Sequence, residues 1–242
     1  GSDCIILALS SEQHDVKMRM FNADGSEGDM CGNGIRCFAA FAIKCGFVDK
    51  DKNQIFVETK SGIKSVLPII TENVITAAKV NMGKPIFKPK EIPVNINSKL
   101  ERIVDYPLTV GPETFYITCV SMGNPHAISF ISTPVDSVDL VAVGPLVENH
   151  AFFPDRVNFE IVNVINKSYV KARVWERGSG ITMACGTGAC AIACAGIYKG
   201  ILNQHIEVEL PGGILQIEWS GNDDDDVMMT GPVTEVFEGE WK

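Results

Sequence analysis

Residues 30–34 read Met-Cys-Gly-Asn-Gly and residues 184–188 read Ala-Cys-Gly-Thr-Gly, so Cys-Gly-X-Gly occurs twice in this chain of 242 residues. Each phrase precedes a run of small or apolar residues that predicts a helix, over residues 34–45 and about 188–198. A cysteine placed just before a helix twice in one chain predicts a duplicated fold.

Apolar and alternating segments on either side of the two phrases predict strands. They cover residues 4–9, 16–21, 54–59, 63–70, 74–80, 114–120, 127–131, 157–165, 169–175, 206–210, 213–219 and 227–230. Residues 138–149 are predicted to form a helix or a partly helical connection. We therefore predict an α+β fold of two pseudo-symmetric domains, each a mostly antiparallel sheet wrapped around a central helix.

Residues 82–85, Met-Gly-Lys-Pro, interrupt this pattern and open a stretch rich in proline and lysine that runs to Pro93. We predict the domain boundary there. Only 30 residues precede Cys31, whereas about a hundred separate the boundary from Cys185. If the halves are repeats, the first is expected to lack its opening strands.

The composition is that of an ordinary globular protein, with 45% hydrophobic and 21% charged residues. A net charge of −9 argues against nucleic acid and anionic membranes as partners, because both attract positive surfaces. No apolar run is long enough to predict a membrane span.

Eight cysteines are present, but none is spaced as Cys-X-X-Cys. With four scattered histidines they match no common zinc module, and the acidic run 222–226 lacks the spacing of a calcium loop, so no metal is expected. Cys37, Cys45, Cys190 and Cys194 stand among apolar residues and are predicted to be small buried side chains. A reducing cytoplasm is the expected compartment.

The two cysteines that precede the predicted helices, Cys31 and Cys185, suggest acid–base chemistry. A cysteine before a helix faces unpaired backbone N–H groups and the positive end of the helix dipole, which is expected to lower the pKa of its thiol. Inverting a carbon centre needs a base on one face and an acid on the other, and Cys31 and Cys185 would exchange these roles. The glycines beside them would let a substrate carboxylate approach the backbone N–H groups.

Several polar residues fall at predicted turns. The asparagines that could orient an amino-acid head group are Asn22, Asn33, Asn124 and Asn158. Arg177 could pair with a carboxylate, and His126 and Glu176 could assist the cysteines. Simpler interpretations are also open, since Gly-Asn-Pro-His commonly forms a turn and Glu176–Arg177 could be an exposed pair.

The longer motifs resemble those of diaminopimelate epimerases. The first signature is Phe-Asn-Ala-Asp-Gly-Ser at 21–26 followed by Met-Cys-Gly-Asn-Gly-Ile-Arg-Cys at 30–37. The second is Trp-Glu-Arg-Gly-Ser-Gly-Ile-Thr at 175–182 followed by Ala-Cys-Gly-Thr-Gly-Ala-Cys at 184–190. Gly-Asn-Pro-His at 123–126 and Arg-Val-Asn at 156–158 lie in the family's order, and the similarity covers essentially the whole chain.

The resemblance implies a cofactor-independent isomerase, a homodimer, that interconverts LL- and meso-diaminopimelate in lysine and peptidoglycan biosynthesis. It implies Cys31 and Cys185 as the acid–base residues, with His126 and Glu176 as catalytic helpers. The implied substrate-binding residues are Asn22, Gly32, Asn33, Asn124, Asn158, Glu176, Arg177, Gly186 and Thr187. The implied domains are 1–82 with about 232–242, and 83–231, with a cleft that closes over the ligand.

Two departures from the family pattern are visible. Family members carry a first strand and a His-Gly-Leu-Gly-Asn-type motif before the point that matches Gly1, so the chain as given is expected to be incomplete. Cys4 stands where relatives often have a polar residue that lines the site.

Other functions remain open at this point. A related epimerase or racemase could keep both cysteines and accept another amino acid. A redox switch or thiol oxidoreductase is disfavoured by the absence of Cys-X-X-Cys, although facing thiolates could oxidise to a disulfide. A non-catalytic binding protein would have no need of both cysteines.

Overall fold

The computed structural model describes residues 4–22, 24–28, 31–96 and 99–240. Ala23 and Met30 of the first motif, and the chain ends 1–3 and 241–242, lie outside the described residues. The chain forms two compact units, one of residues 1–81 and 230–242 and the other of residues 82–229.

The first unit is a sheet with one helix. Its elements are β1 (Cys4–Leu9), β2 (Val16–Asn22), β3 (Glu27–Gly28), α1 (Gly32–Lys44), β4 (Ile55–Thr59), β5 (Gly62–Thr71) and β6 (Val74–Gly83). The strands lie in the order β1-β2-β4-β5-β6, and β3 pairs with β2. Neighbours are antiparallel except β2 and β4, which are parallel.

Helix α1 buries only one face. Its buried residues are Gly32, Ile35, Arg36, Phe38, Ala39 and Ala42. Cys37, Phe41 and Cys45 recur every four residues on the other face, and all three are exposed. The prediction that Cys37 and Cys45 are buried is therefore wrong, because the apolar run of the sequence is wider than the stripe that the sheet covers.

The second unit is built around two helices. Its elements are β7 (Tyr106–Val110), β8 (Glu113–Ser121), β9 (Pro125–Phe130), a 3₁₀ turn (Val135–Ser137), α2 (Leu140–Glu148), β10 (Asn158–Asn166), β11 (Tyr169–Glu176), β12 (Gly180–Ile181), α3 (Gly186–Tyr198), β13 (His205–Leu210), β14 (Gly213–Glu218) and β15 (Val227–Pro232). The order is β14-β13-β11-β10-β9-β8-β7, with β12 paired to β11. The pairs β9–β10 and β11–β13 are parallel. From Thr230 onward, β15 belongs to the first unit.

The two faces of this sheet have different partners. Phe159 and Ile161 of β10 join a buried cluster that includes Leu140 and Val143 of α2. Because side chains alternate along a strand, Asn158 and Glu160 point to the other face, where α3 packs on β8, β9 and β10. Almost every side of α3 is buried, and Cys190 and Cys194 lie in that interior, as predicted.

The structure confirms the predicted α+β class, with mostly antiparallel sheets around a helix. Helices α1 and α3 begin two residues earlier than predicted, because the first glycine of each Cys-Gly-X-Gly already has helical geometry. Strand β7 escaped prediction since Pro107 interrupts its short apolar pattern. In the described part of the chain, no helix is long and apolar enough to cross a bilayer.

Candidate active site

Cys31 and Cys185 are the N-cap residues of α1 and α3, and their backbone dihedral angles are nearly the same. Cys31 has φ −123° and ψ 120°, and Cys185 has φ −122° and ψ 112°. In each case Sγ accepts a hydrogen bond of 3.3 Å from the backbone N–H three residues later, that of Gly34 or Gly188. The predicted position of both thiols at helix starts is confirmed.

The donor in each cap is a glycine, and a side chain there would meet different neighbours in the two units. A Cβ built on Gly34 would lie 3.6 Å from Sγ of Cys31 and 2.5 Å from Cδ1 of Ile6. A Cβ on Gly188 would lie 3.3 Å from Sγ of Cys185 and 2.9 Å from Oε1 of Glu160. Because the second glycine of each phrase has no side chain, the thiol can lie against the helix N-terminus.

In the first unit, a buried guanidinium holds the start of α1. Arg36 is 5% exposed, and its Nη1 donates to the carbonyl of Gly32 at 3.0 Å while Nη2 donates to Oδ1 of Asn33 at 3.2 Å. Its Nε donates to the carbonyl of Pro232 at 3.5 Å. Asn22 is exposed at the end of β2, where its Nδ2 donates to Oγ of Ser26 at 3.0 Å.

In the second unit, Cys185 is 6% exposed, and its Sγ lies 3.5 Å from Oγ1 of Thr187. Burial raises the pKa of the Cys185 thiol well above its ordinary value, and the negative charges of Glu176 and Glu160 raise it further. The bonds from Thr187 and from the Gly188 N–H act in the opposite direction and are weaker. The expectation of a lowered pKa is therefore wrong for Cys185, because desolvation outweighs the helix start.

A chain of hydrogen bonds crosses the sheet beside Cys185. Nε2 of His126 lies 3.0 Å from Oδ1 of Asn124, and Nδ1 lies 2.6 Å from Oε1 of Glu160. His126 and Glu160 are both fully buried. Sequence reasoning selected His126 and Asn124 but missed Glu160. A carboxylate between Phe159 and Ile161 in a predicted buried strand was the available signal.

The side chain of Asn158 connects two of the predicted site segments. Its Nδ2 donates to the carbonyl of Pro125 at 2.8 Å, and its Oδ1 accepts from the backbone N–H of Arg177 at 2.9 Å. The guanidinium of Arg177 donates to the carbonyl of Asp155 at 3.0 Å. Asn158 therefore holds the turn after β8 and the turn after β11 in one arrangement.

Glu176 ends β11, and its Oε1 accepts a hydrogen bond from the hydroxyl of Thr182. A second carboxylate, Glu148 of α2, accepts from the backbone N–H of Gly178 at 2.8 Å and from Nε1 of Trp175 at 2.7 Å. The turn that carries Glu176 and Arg177 is thus held at both ends. No sequence pattern had pointed to Glu148.

The model thus groups the predicted site residues within each unit. In the first unit Cys31, Gly32 and Asn33 share the start of α1, with Asn22 at the end of β2. In the second unit the predicted residues are Asn124, His126, Asn158, Glu176, Arg177, Cys185, Gly186 and Thr187. Within the described ranges, no three His, Cys, Asp or Glu side chains are grouped as a metal site requires.

Each half therefore offers a thiol, backbone N–H groups at a helix start and neighbouring amide side chains. Such a set can exchange a proton with a carbon acid and can bind an anion at the helix start. These are the elements of proton transfer at a carbon next to a carboxylate.

Comparison with solved structures supports the fold. A probable proline racemase from Agrobacterium radiobacter matches with a TM-score of 0.67 and 12% identity, over 95% of this chain and 73% of that one. A Bacillus anthracis phenazine biosynthesis protein of the PhzF family matches with a TM-score of 0.63 and 20% identity, over 97% and 84%.

Comparison with sequences is more specific. A diaminopimelate epimerase from Acetivibrio thermocellus is 47% identical over 99% of this chain and 84% of its own length. One from Methanococcus maripaludis is 48% identical with the same coverage. The family model described as diaminopimelate epimerase matches residues 1–88 and 118–236, and these segments include both N-capping cysteines. The chain therefore belongs to the diaminopimelate epimerase family.

Proposed function

We propose that this chain interconverts LL- and meso-diaminopimelate without a cofactor, with Cys31 and Cys185 as the two acid–base residues. The observation that carries the proposal is the equivalence of the two thiols. Each caps a helix with nearly the same backbone angles and the same 3.3 Å bond to a glycine N–H. A reaction that inverts one centre in both directions needs two such groups with interchangeable roles.

The chemistry is a proton exchange at the α-carbon. One thiolate removes the α-proton and becomes a thiol, while the opposite thiol delivers its proton to the other face and becomes a thiolate. The electron pair left on the α-carbon is delocalised into the substrate carboxylate, and backbone N–H groups at a helix start stabilise that charge. The proposal requires both sulfurs to reach one α-carbon from opposite faces.

The proton state of Cys185 supports a starting point for the cycle. Because its pKa is raised by burial and by two carboxylates, Cys185 holds its proton near neutral pH. It therefore begins as the acid. In the opposite direction a thiolate has to form at Cys185, where the Gly188 N–H and the Thr187 hydroxyl favour it.

Roles for the other residues complete the proposal. His126 and Glu176 assist the cysteines. The proposed substrate-binding residues are Asn22, Gly32, Asn33, Asn124, Asn158, Glu176, Arg177, Gly186 and Thr187. The two side-chain bonds of Asn158 support a holding role as well, because they fix the backbone on which Asn124 and Arg177 lie.

The test is epimerisation of LL-diaminopimelate in D₂O, with Cys31→Ser and Cys185→Ser as variants. Serine keeps an N-cap acceptor but remains protonated, so the fold is retained while proton transfer is lost. We expect the parent to form the meso isomer and to place deuterium at the α-carbon, and each variant to lose at least about 10²-fold in kcat. Near-normal turnover by either variant would exclude the two-thiol mechanism.

The same assay resolves the related alternative. Proline, hydroxyproline and several acyclic amino acids are offered at equal concentration, because the structural neighbours include a proline racemase and a hydroxyproline epimerase. A higher kcat/KM for one of these would assign the chain to another substrate.

We further propose a homodimer in the cytoplasm. In the described part of the chain no cysteine forms a disulfide, which supports a reducing compartment. Exposed apolar side chains on β1, namely Ile5, Leu7 and Leu9, are available for burial against a second copy. Light scattering of the purified protein measures the oligomeric state directly, and a monomer at micromolar concentration would contradict the proposal.

A further inference from the structure

Glu160 is a carboxyl group in the interior of the second unit, and the proposed mechanism gives it no part beyond its charge near Cys185. It lies in β10 with no exposed surface. Its Oε1 lies 2.6 Å from Nδ1 of His126, and among the described residues its Oε2 has no hydrogen-bond partner. A buried carboxyl that is only half satisfied is costly to the fold, so it calls for a functional reason.

The surroundings of Glu160 connect it with the reactive thiol. Four titratable groups affect the pKa of Glu160 or are affected by its charge. They are His126 on β9, Cys119 on β8, Glu176 on β11 and Cys185 at the start of α3. A Cβ on Gly188 would lie 2.9 Å from Oε1, so this carboxyl has room because residue 188 is glycine. The N–H of the same glycine donates to Sγ of Cys185. Burial raises the pKa of Glu160, and His126 opposes that shift.

The imidazole of His126 lies between two oxygen atoms, Oε1 of Glu160 and Oδ1 of Asn124. The amide oxygen only accepts, so Nε2 must carry a hydrogen to bond to it. On the other side, one proton is shared between Nδ1 and the carboxyl. The pair is then either an imidazolium with a carboxylate or a neutral imidazole with a carboxylic acid, and both forms have zero net charge, as a buried pair requires.

We propose that Glu160 is a positioning residue that makes Nε2 the proton-exchanging atom of His126, which rests on the proposed role of His126 in epimerisation. When Nε2 gives its proton to a cysteine thiolate that His126 assists, the remaining proton stays on Nδ1 and bonds to the Glu160 carboxylate, and the pair then carries one negative charge. When Nε2 takes the proton back, the pair returns to zero net charge. Glu160 thereby fixes both the orientation of the ring and the nitrogen that exchanges the proton.

The direct test is nitrogen-15 and proton NMR of histidine-labelled protein. In the parent we expect a hydrogen on Nε2 of His126 and a far-downfield proton resonance from the short contact between Nδ1 and Oε1 of Glu160. A parent spectrum without the downfield resonance, or a His126 ring whose Nε2 carries no hydrogen, would overturn the proposal. This measurement needs neither a variant nor substrate, so it stands even if the function is assigned elsewhere.

The Glu160→Gln variant adds the kinetic test. Its amide can donate to Nδ1 but cannot share a proton with it, so we expect the downfield resonance to disappear and Nδ1 to lose its hydrogen. We expect kcat to fall about 10²-fold with KM nearly unchanged, and the limb of the kcat–pH profile due to the pair to vanish. An unchanged profile would overturn the proposal.

Two further variants separate this result from other failures. Glu113→Gln removes a carboxylate from the exposed first residue of β8 and is expected to leave both the spectrum and kcat unchanged. Cys185→Ser is expected to lose epimerisation while the His126 resonances persist. If the parent shows the predicted resonances but no diaminopimelate turnover, the proposed function fails and the assignment of Glu160 does not.

Discussion

Glu148 of α2 and Trp175 of β11 are joined by a hydrogen bond of 2.7 Å from the indole Nε1 to Oε2. The other carboxylate oxygen accepts from the N–H of Gly178 at 2.8 Å and from Nη1 of Arg156 at 3.2 Å. Glu148 is 6% exposed, so water does not replace these bonds readily. One buried carboxylate therefore fixes the turn between Trp175 and Gly178, on which Glu176 and Arg177 are carried.

Replacing Glu148 by Gln should loosen this turn. The glutamine amide has one accepting oxygen and one donating nitrogen. Either the indole N–H of Trp175 or the N–H of Gly178 would then face that donating nitrogen, which destabilises the protein by about 1–3 kcal/mol. We expect KM for diaminopimelate to rise more than kcat falls, because Arg177 is a proposed substrate ligand. Urea unfolding and steady-state kinetics measure both effects.

Glu101→Gln, on an exposed segment, is the matched control and should leave both quantities unchanged. A Glu148→Gln protein with the parent's stability and KM would show that the turn is held by other contacts.

Gly34 and Gly188, whose N–H groups donate to the capping cysteines, are expected to respond unequally to substitution by alanine. At Gly34 the new methyl meets the end of the flexible Ile6 side chain, which can move aside. At Gly188 it meets Oε1 of Glu160, which the bond to His126 holds in place. We expect Gly188→Ala to lower kcat at least about 10-fold more than Gly34→Ala.

Alanine also favours a helix over glycine by up to about 1 kcal/mol, so thermal unfolding has to be measured alongside. Gly34→Ala should be near the parent in stability, whereas Gly188→Ala should be less stable. Equal losses of kcat in the two variants would contradict the difference that their surroundings predict.

How far the sequence could predict this site depends on whether a feature is local. The capping position of Cys31 and Cys185 follows from the few residues around each, since small residues after a cysteine already specify a helix start. The fold class follows from alternation and turns. The burial of Cys37 and Cys45 was predicted wrongly, because helical periodicity does not tell how wide a stripe the neighbouring sheet will cover.

The residues that escaped prediction act through contacts distant in the chain. Glu148 meets Trp175 and Gly178 only because α2 packs against β11 and β12. Glu160 meets His126 because β9 and β10 are parallel neighbours, a pairing that no turn signal specifies. The pKa of Cys185 was misjudged for the same reason, since its burial depends on the whole unit.

Arg36 offers a test in the first unit. Its guanidinium spans Gly32, Asn33 and Pro232, and so connects the start of α1 with the end of β15. We expect Arg36→Met to lower the free energy of unfolding by about 1–3 kcal/mol and to raise KM, because Asn33 is a proposed substrate ligand. Arg36→Lys should resemble Met more than Arg, since one ammonium cannot reproduce the planar fork. Kinetics in which Lys fully substitutes would show that only the charge matters.

The thiols should differ in how their alkylation depends on pH. Alkylation requires the thiolate, and a raised pKa means that the proton is kept to higher pH. Exposed Cys37 is the reference thiol in the same sample. The rate at Cys185 should continue to rise at higher pH, because burial, Glu176 and Glu160 all keep it protonated. Glu176→Gln removes one of those charges while keeping an acceptor for Thr182, so it should shift the Cys185 curve to lower pH and leave the Cys37 curve in place.

Iodoacetamide labelling followed by peptide mass spectrometry measures both curves in one sample. If the curves of the two cysteines in the parent were parallel, the pKa of the Cys185 thiol would be no higher than that of an exposed thiol. Cys185 could then not be assigned as the initial acid of the cycle.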